Sequence, residues 1–183
     1  ARLTYQEAFT MLKGHDKGEV PSMVREAWKL ASILRRNRYA KGALDLDFPE
    51  VRAGMDKDGR VTDIITEEYD ESHQLIEECM LAANEAVALT LKNRNRPTIY
   101  RVHEEPDSAK LFEFGQLCKL YGHPVHDIGQ RQYLNELMKS IKGSPDEQLL
   151  KLALLKSLMR ARYDTEPLGH YGLATANYCH FTS

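Results

Sequence analysis

The sequence predicts a mostly helical α+β unit, and three observations carry that expectation. Six segments place apolar residues at helical spacing. One stretch alternates apolar with acidic residues and runs on into an Asp58-Gly59 pair, a tight-turn signal, which predicts short β-strands and a hairpin. No internal repeat, low-complexity tract or long linker divides these segments, so they are expected to form one unit.

Tyr5 to Lys13 reads as a short helix with Ala8, Phe9 and Leu12 on one side, ended by Gly14. A second helix is expected over Ser22 to Lys41, where Val24, Ala27, Trp28, Ala31 and Leu34 recur at helical spacing. Ala43 to Phe48 sets Leu44, Leu46 and Phe48 against Asp45 and Asp47, which is a strand pattern, and the hairpin returns along Val61 to Thr66. A long helix follows over Glu71 to Asn93. TIYRVHEEP predicts a strand stopped by Pro106. The remaining helices are Asp107 to Tyr121 before Gly122, Arg131 to Lys142 before Gly143, and one opened by Ser144-Pro145-Asp146-Glu147. That tetrapeptide reads as a capping box with proline at the first helical position.

The 183 residues are enough for one sizeable core, and 42% hydrophobic with 28% charged content is that of a soluble globular protein. The net charge of −2 gives no global attraction to nucleic acid. No run approaches the ~20 apolar residues of a membrane span, and the start has no signal-peptide pattern. Three cysteines without CxxC spacing suggest neither a disulfide framework nor a zinc site, so reduced thiols and a cytoplasmic setting are expected.

The long helix contains adjacent glutamates, Glu77 and Glu78, in SHQLIEECMLAANEAVAL. Neighbours on a helix point about 100° apart, so the two face different surroundings. With Met80 at the centre, Ile76, Ala83, Val87 and Leu91 fall within about 60° and form a core stripe. Glu71, Gln74, Glu78 and Glu85 then face solvent. His73, Glu77 and Asn84 line the edge of the stripe, where a carboxylate needs a partner. Either Glu77 pairs with His73 one turn earlier, or it faces a cleft and accepts a hydrogen bond from a ligand.

Arg25 to Lys41 carries Arg25, Lys29, Arg35, Arg36, Arg38 and Lys41 against Glu26, a local balance of +5 (6 − 1). Such a helix beside Tyr39 can follow a phosphate backbone, or it can be a solvated face offset by Asp45, Asp47 and Glu50. His123 and His126 in GHPVH have metal-like spacing but no clear third ligand, so no metal is assigned to this chain. No glycine-rich phosphate loop, GxSxG elbow or cysteine-histidine nucleophile pattern occurs. No compact acidic cluster of a magnesium site is visible. Spacing alone identifies no complete active site, and the catalytic residues are unknown.

Three blocks, ARLTY, SHQLIEECMLAAN and GHYGLATANYCHFTS, closely resemble in the same order the RNB catalytic domain of the ribonuclease II and ribonuclease R family. IYRVHEEP and RARYD are similar to that family's connecting segments. The resemblance covers nearly the whole chain and implies that residues 1–183 are a mostly helical part of an RNB catalytic domain, cut at both ends. It implies processive 3′-to-5′ hydrolysis of single-stranded RNA to nucleoside 5′-monophosphates by a cytoplasmic, monomeric enzyme with Mg2+. In the family, the aspartates that hold magnesium precede the ARLTY block, and a Pro-Ile-Arg motif follows HFTS. This chain is therefore expected to line the RNA channel and to be inactive alone. The resemblance implies that Tyr5 lies against RNA near its 3′ end and that Glu77 accepts a ribose 2′-hydroxyl, with Glu78 facing water. Tyr171, Tyr178, His180, Thr182 and Ser183 would build the loop beside the terminal nucleotide, Thr182 and Ser183 mainly through their backbone. Tyr178 and Phe181 can equally be core. The family aromatic that stacks on the last base has no identifiable counterpart near Ala43 to Phe48. The alternative is a catalytically degenerate RNA-binding or interaction module of the same fold.

Overall fold

The computed structural model describes residues 1–183 except 47, 49 and 68, together with all side chains but those of these three and of residues 50, 52, 65 and 67. Helix α1 spans Tyr5–Lys13, starting where Thr4 and Glu7 close a reciprocal capping box. The Thr4 hydroxyl accepts from the Glu7 amide at 3.2 Å, and the Glu7 carboxylate accepts from the Thr4 amide at 2.7 Å. Helix α2 runs over Glu19–Ala40, three residues ahead of the expected start. Pro21 is tolerated there because its missing N–H falls in the first turn, where it would have no helical partner. Arg25 of α2 donates to the Met11 carbonyl at 2.9 Å and the Asp16 carbonyl at 2.8 Å, tying the end of α1 to α2.

The hairpin forms, but its first strand is displaced from the expected one. Strand β1 is Glu50–Met55 and pairs antiparallel with β2, Val61–Glu67. The Asp56 carboxylate accepts from the Asp58 and Arg60 amides, both at 2.9 Å, and Gly59 takes φ +77°, closing the turn. Ala43–Leu46 and Phe48 have no strand structure, and Asp47 lies outside the described residues. The apolar alternation there serves core packing from an irregular segment: Ala43 and Leu44 are buried, and the Leu44 amide donates to the Gly172 carbonyl at 2.9 Å.

Helix α3 spans Glu71–Asn93, as expected. Strand β3, Tyr100–Val102, pairs antiparallel with β4, Arg162–Asp164. Between them lie α4 at Ser108–Leu120, α5 at Arg131–Ile141 and α6 at Glu147–Ser157. Asp107 caps α4 through the Ala109 and Lys110 amides. The capping box expected at Ser144 is absent. Helix α6 begins two residues later, the Ser144 hydroxyl is buried without a partner, and the Glu147 carboxylate reaches past it to the Gly143 amide at 2.7 Å. A 3₁₀ turn at Tyr171–Leu173 follows β4.

The chain divides into two compact units. The first is Ala1–Arg35 with Asp47–Leu81, and the second is Arg36–Leu46 with Ala82–Ser183. The second holds the larger core, in which Leu111, Phe114 and Cys118 of α4 meet Leu134 and Ile141 of α5 and Leu150 and Leu154 of α6. Each fully buried leucine there contributes about 1.5–3 kcal/mol by leaving water. A smaller cluster joins Ala88, Tyr100, Val102 and Cys179. Burial raises the Cys118 thiol to about 11, so it behaves as a small apolar side chain.

Candidate nucleic-acid interface

In the first unit the expected site residues gather around the start of α3. Tyr5, the first residue of α1, stacks on the imidazole of His73 with ring centroids 3.9 Å apart and planes 19° from parallel. It remains 48% exposed, so the phenol ring is offered to solvent from a fixed position. His73 is held from below, its Nδ1 lying 3.0 Å from an Asp70 carboxylate oxygen. Asp70 also accepts from the Ser72 amide at 2.9 Å, capping α3. Burial pushes the Asp70 carboxyl up, but the hydrogen bonds from Ser72 and His73 outweigh it and hold the group below the usual range.

Glu77 and Glu78 differ from expectation. The buried face of α3 carries Glu78, Leu81, Asn84 and Ala88, while Ile76 is 50% exposed. The stripe is therefore centred on Leu81, one residue on from Met80, which rotates it by about 100°. At about 100° per residue, Glu77 lies about 40° to one side of its centre and Glu78 about 60° to the other. Glu78 is 2% exposed and does not face water. The Arg35 guanidinium makes this possible, since its Nη1 donates to Glu78 Oε1 and Glu77 Oε2, both at 3.3 Å. Glu77, for which pairing with His73 was one of two readings, receives Arg35 and the Tyr69 hydroxyl, and its side chain stays 28% exposed. Arg35 on α2 was legible only as one of six basic residues.

The basic stretch of α2 is divided between internal contacts and exposed residues, Lys29, Arg36 and Lys41. Arg25 holds backbone carbonyls, Lys29 pairs with Glu26 at 2.6 Å, Arg35 serves the glutamates and Arg38 covers the Tyr39 ring at 4.7 Å. Asp45 meets Lys142 at 3.1 Å, while Asp47 and the Glu50 side chain lie outside the described residues.

In the second unit, the C-terminal block is organised by a residue whose role the sequence did not disclose. Asn84, fully buried on α3, clamps Thr182: its Oδ1 accepts from the Thr182 amide at 2.8 Å, and its Nδ2 donates to the Thr182 carbonyl at 3.0 Å. The same amide nitrogen donates to the Tyr178 hydroxyl at 3.0 Å. Tyr178 is buried, Phe181 is exposed, and His180, Thr182 and Ser183 all lie at the surface. Thr182 is thus fixed through its backbone. Tyr171 is 8% exposed beneath the Arg131 guanidinium, 3.9 Å from its ring, and Arg131 also donates to the Tyr171 and Gly42 carbonyls at 2.7 and 3.0 Å. That burial raises the Tyr171 phenol above its ordinary value. Beside it, His103 Nδ1 accepts from the Gly172 amide at 3.2 Å and His170 Nδ1 from the Leu173 amide at 3.3 Å. Burial, then the neighbouring His103, depresses His170 to about 4, so both acceptors are neutral near neutrality.

Among the described residues, no three His, Cys, Asp or Glu side chains converge so as to hold a metal ion. No helix among the described residues is long and apolar enough to cross a membrane.

The chain is 36% identical over 191 residues to ribonuclease R of Aquifex aeolicus, covering 100% of this chain and 27% of that protein. It therefore spans about a quarter of the length of the curated relative. Its fold matches that of Mycoplasma genitalium RNase R in complex with ribose-methylated single-stranded RNA, with a TM-score of 0.89 at 24% identity over 98% of this chain and 29% of that one. Yeast Ssd1, a pseudonuclease, shares the fold with a TM-score of 0.67 at 18% identity, over 98% of this chain and 23% of that one. A family model described as the RNB domain matches residues 1–183, and the chain belongs to the RNB domain family.

Proposed function

We propose that this chain is the RNA-holding portion of an RNB catalytic domain in a processive 3′-to-5′ exoribonuclease that releases nucleoside 5′-monophosphates from single-stranded RNA. The observation that carries the reading is the pairing, in one compact unit, of an exposed Tyr5 ring pinned on His73 with a partly exposed Glu77 one helical turn along α3. A fixed aromatic face suits stacking on a base, and a carboxylate suits a ribose 2′-hydroxyl, which distinguishes RNA from DNA. Backbone-fixed Thr182, with Ser183 and His180 beside it in sequence, would form the second contact surface, with Tyr171 as a further member of the site. Two solved structures of a relative support the substrate: one RNase R structure holds single-stranded RNA and another double-stranded RNA. The magnesium such hydrolysis uses would be held by residues of the full-length protein outside this chain, and the protein would act as a cytoplasmic monomer.

The second reading, a degenerate RNA-binding module, is favoured by the fold shared with a pseudonuclease. One experiment separates them. A 5′-labelled single-stranded oligoribonucleotide is incubated with magnesium and either full-length protein or the isolated 183-residue polypeptide, whose fold is checked by circular dichroism. The exoribonuclease reading expects products shortening from the 3′ end with the full-length protein and intact substrate with the isolated chain. Intact but bound substrate in both would favour the degenerate module, and shortening by the isolated chain would show that the metal site was misplaced.

A further inference from the structure

Strands β3 and β4 bring Arg101 directly opposite Tyr163, so the two side chains share one face of the ribbon. The guanidinium lies 4.8 Å from the ring centroid, covering one face of the phenol. Tyr163 is nevertheless 57% exposed, and its hydroxyl lies 3.3 Å from His180 Nδ1. Phe181, 66% exposed, follows in sequence, and the Asn84 clamp on Thr182 fixes the chain one residue further. Next to it in β4, Arg162 pairs with Glu104 at 2.6 Å and with Asp164. Arg160, two residues before β4, is exposed. The result is an exposed aromatic surface with a cation against it and no uncompensated acid in its ribbon.

We propose that Tyr163, backed by Arg101 and steadied by His180, is a stacking site for a base of single-stranded RNA, adjoining the C-terminal block. It deepens the function proposed above and rests on that reading. The chemistry favours RNA over an apolar partner. A phenol held edge-on by an imidazole and backed by a guanidinium offers one flat face of fixed orientation, and Arg101 can also receive the phosphate of the stacked nucleotide. An apolar partner would leave the guanidinium and imidazole dehydrated and poorly paired.

The test uses the full-length protein, a fluorescent single-stranded oligoribonucleotide and buffer without divalent metal, so that binding is read without cleavage. Tyr163→Ala should weaken binding about 5- to 100-fold, the stacking range of about 1–3 kcal/mol at 1.4 kcal/mol per tenfold, and Tyr163→Phe, which keeps the ring, should recover most of the loss. A scan placing an abasic site at each position in turn should reveal one base whose removal costs affinity in the wild type and nothing further in Tyr163→Ala. An abasic profile identical in wild type and Tyr163→Ala would overturn the proposal, as would equal losses for the Phe and Ala variants. Failure of the wild type to bind single-stranded RNA at all would instead remove the function on which it rests.

Discussion

Replacing Glu78 by alanine should loosen α3, although the residue stands in a row of glutamates that reads as a solvated face. The carboxylate is 2% exposed and lies 3.3 Å from Arg35 Nη1, whose own side chain is 15% exposed. Breaking a buried ion pair by deleting one partner costs about 3–5 kcal/mol, because the other charge stays buried. Arg35 keeps Glu77 as a second acceptor at 3.3 Å, which lowers the expected cost to about 2–3 kcal/mol. At 1.4 kcal/mol per tenfold, amides of α3 near Glu78 should exchange with deuterium about 30- to 150-fold faster in the full-length Glu78→Ala protein. Cys79→Ala, at an exposed neighbour, should leave exchange within about threefold of wild type. Replacing Arg35 and Glu78 together by methionine should recover much of the loss, since a packed apolar pair needs no compensation. Equal exchange in Glu78→Ala and Cys79→Ala would refute the buried pair and return Glu78 to solvent.

Tyr5→Ala in the full-length protein should preserve cleavage while lengthening the smallest product, because losing one stacking contact of about 1–3 kcal/mol releases short RNA early; an unchanged end product would leave Tyr5 as an anchor of α1. His170 predicts a pH effect of definite sign. Its folded-state pKa is depressed from 6.5 to about 4, first by burial and then by His103, so the unfolded chain binds a proton that the folded one does not. The stability this provides is complete above pH 6.5 and is lost as pH falls toward 4, which amide exchange across Tyr171–Thr175 should register. His170→Gln should flatten that dependence, and an unaltered slope would assign it to other groups.

Helix α1, α3 and the return strand of the hairpin were legible because their signals are local: apolar residues at helical spacing, a glycine stop and a turn pair. The phase of α3 was not. Ile76, Met80, Leu81, Val87 and Leu89 surround the helix with apolar groups, so periodicity leaves the direction of the core weakly determined, and it excludes a glutamate from the core by construction. Glu78 is inside because Arg35, 43 positions away in sequence, compensates it. The same limit hid Asn84, whose hydrogen bonds reach Tyr178 and Thr182 across 94 and 98 positions. At Ala43–Leu46 the alternation was real, but burial of Ala43 and Leu44 from an irregular segment used it without a ladder. At Ser144 the capping motif was overridden when Glu147 bonded to Gly143 instead.

The most direct test of the account concerns Glu77 as a reader of ribose. Full-length wild type, Glu77→Ala and Cys79→Ala are compared on matched RNA strands and on strands with a single deoxyribose placed at successive positions from the 3′ end, with melting temperatures recorded alongside. A hydrogen bond to a charged acceptor contributes about 1.5–3 kcal/mol, so Glu77→Ala should lower the preference for ribose at one position by roughly one to two orders of magnitude, with Cys79→Ala unchanged. Full ribose preference at every position in Glu77→Ala, or an equal loss in both variants, would contradict the assignment of this carboxylate to the 2′-hydroxyl.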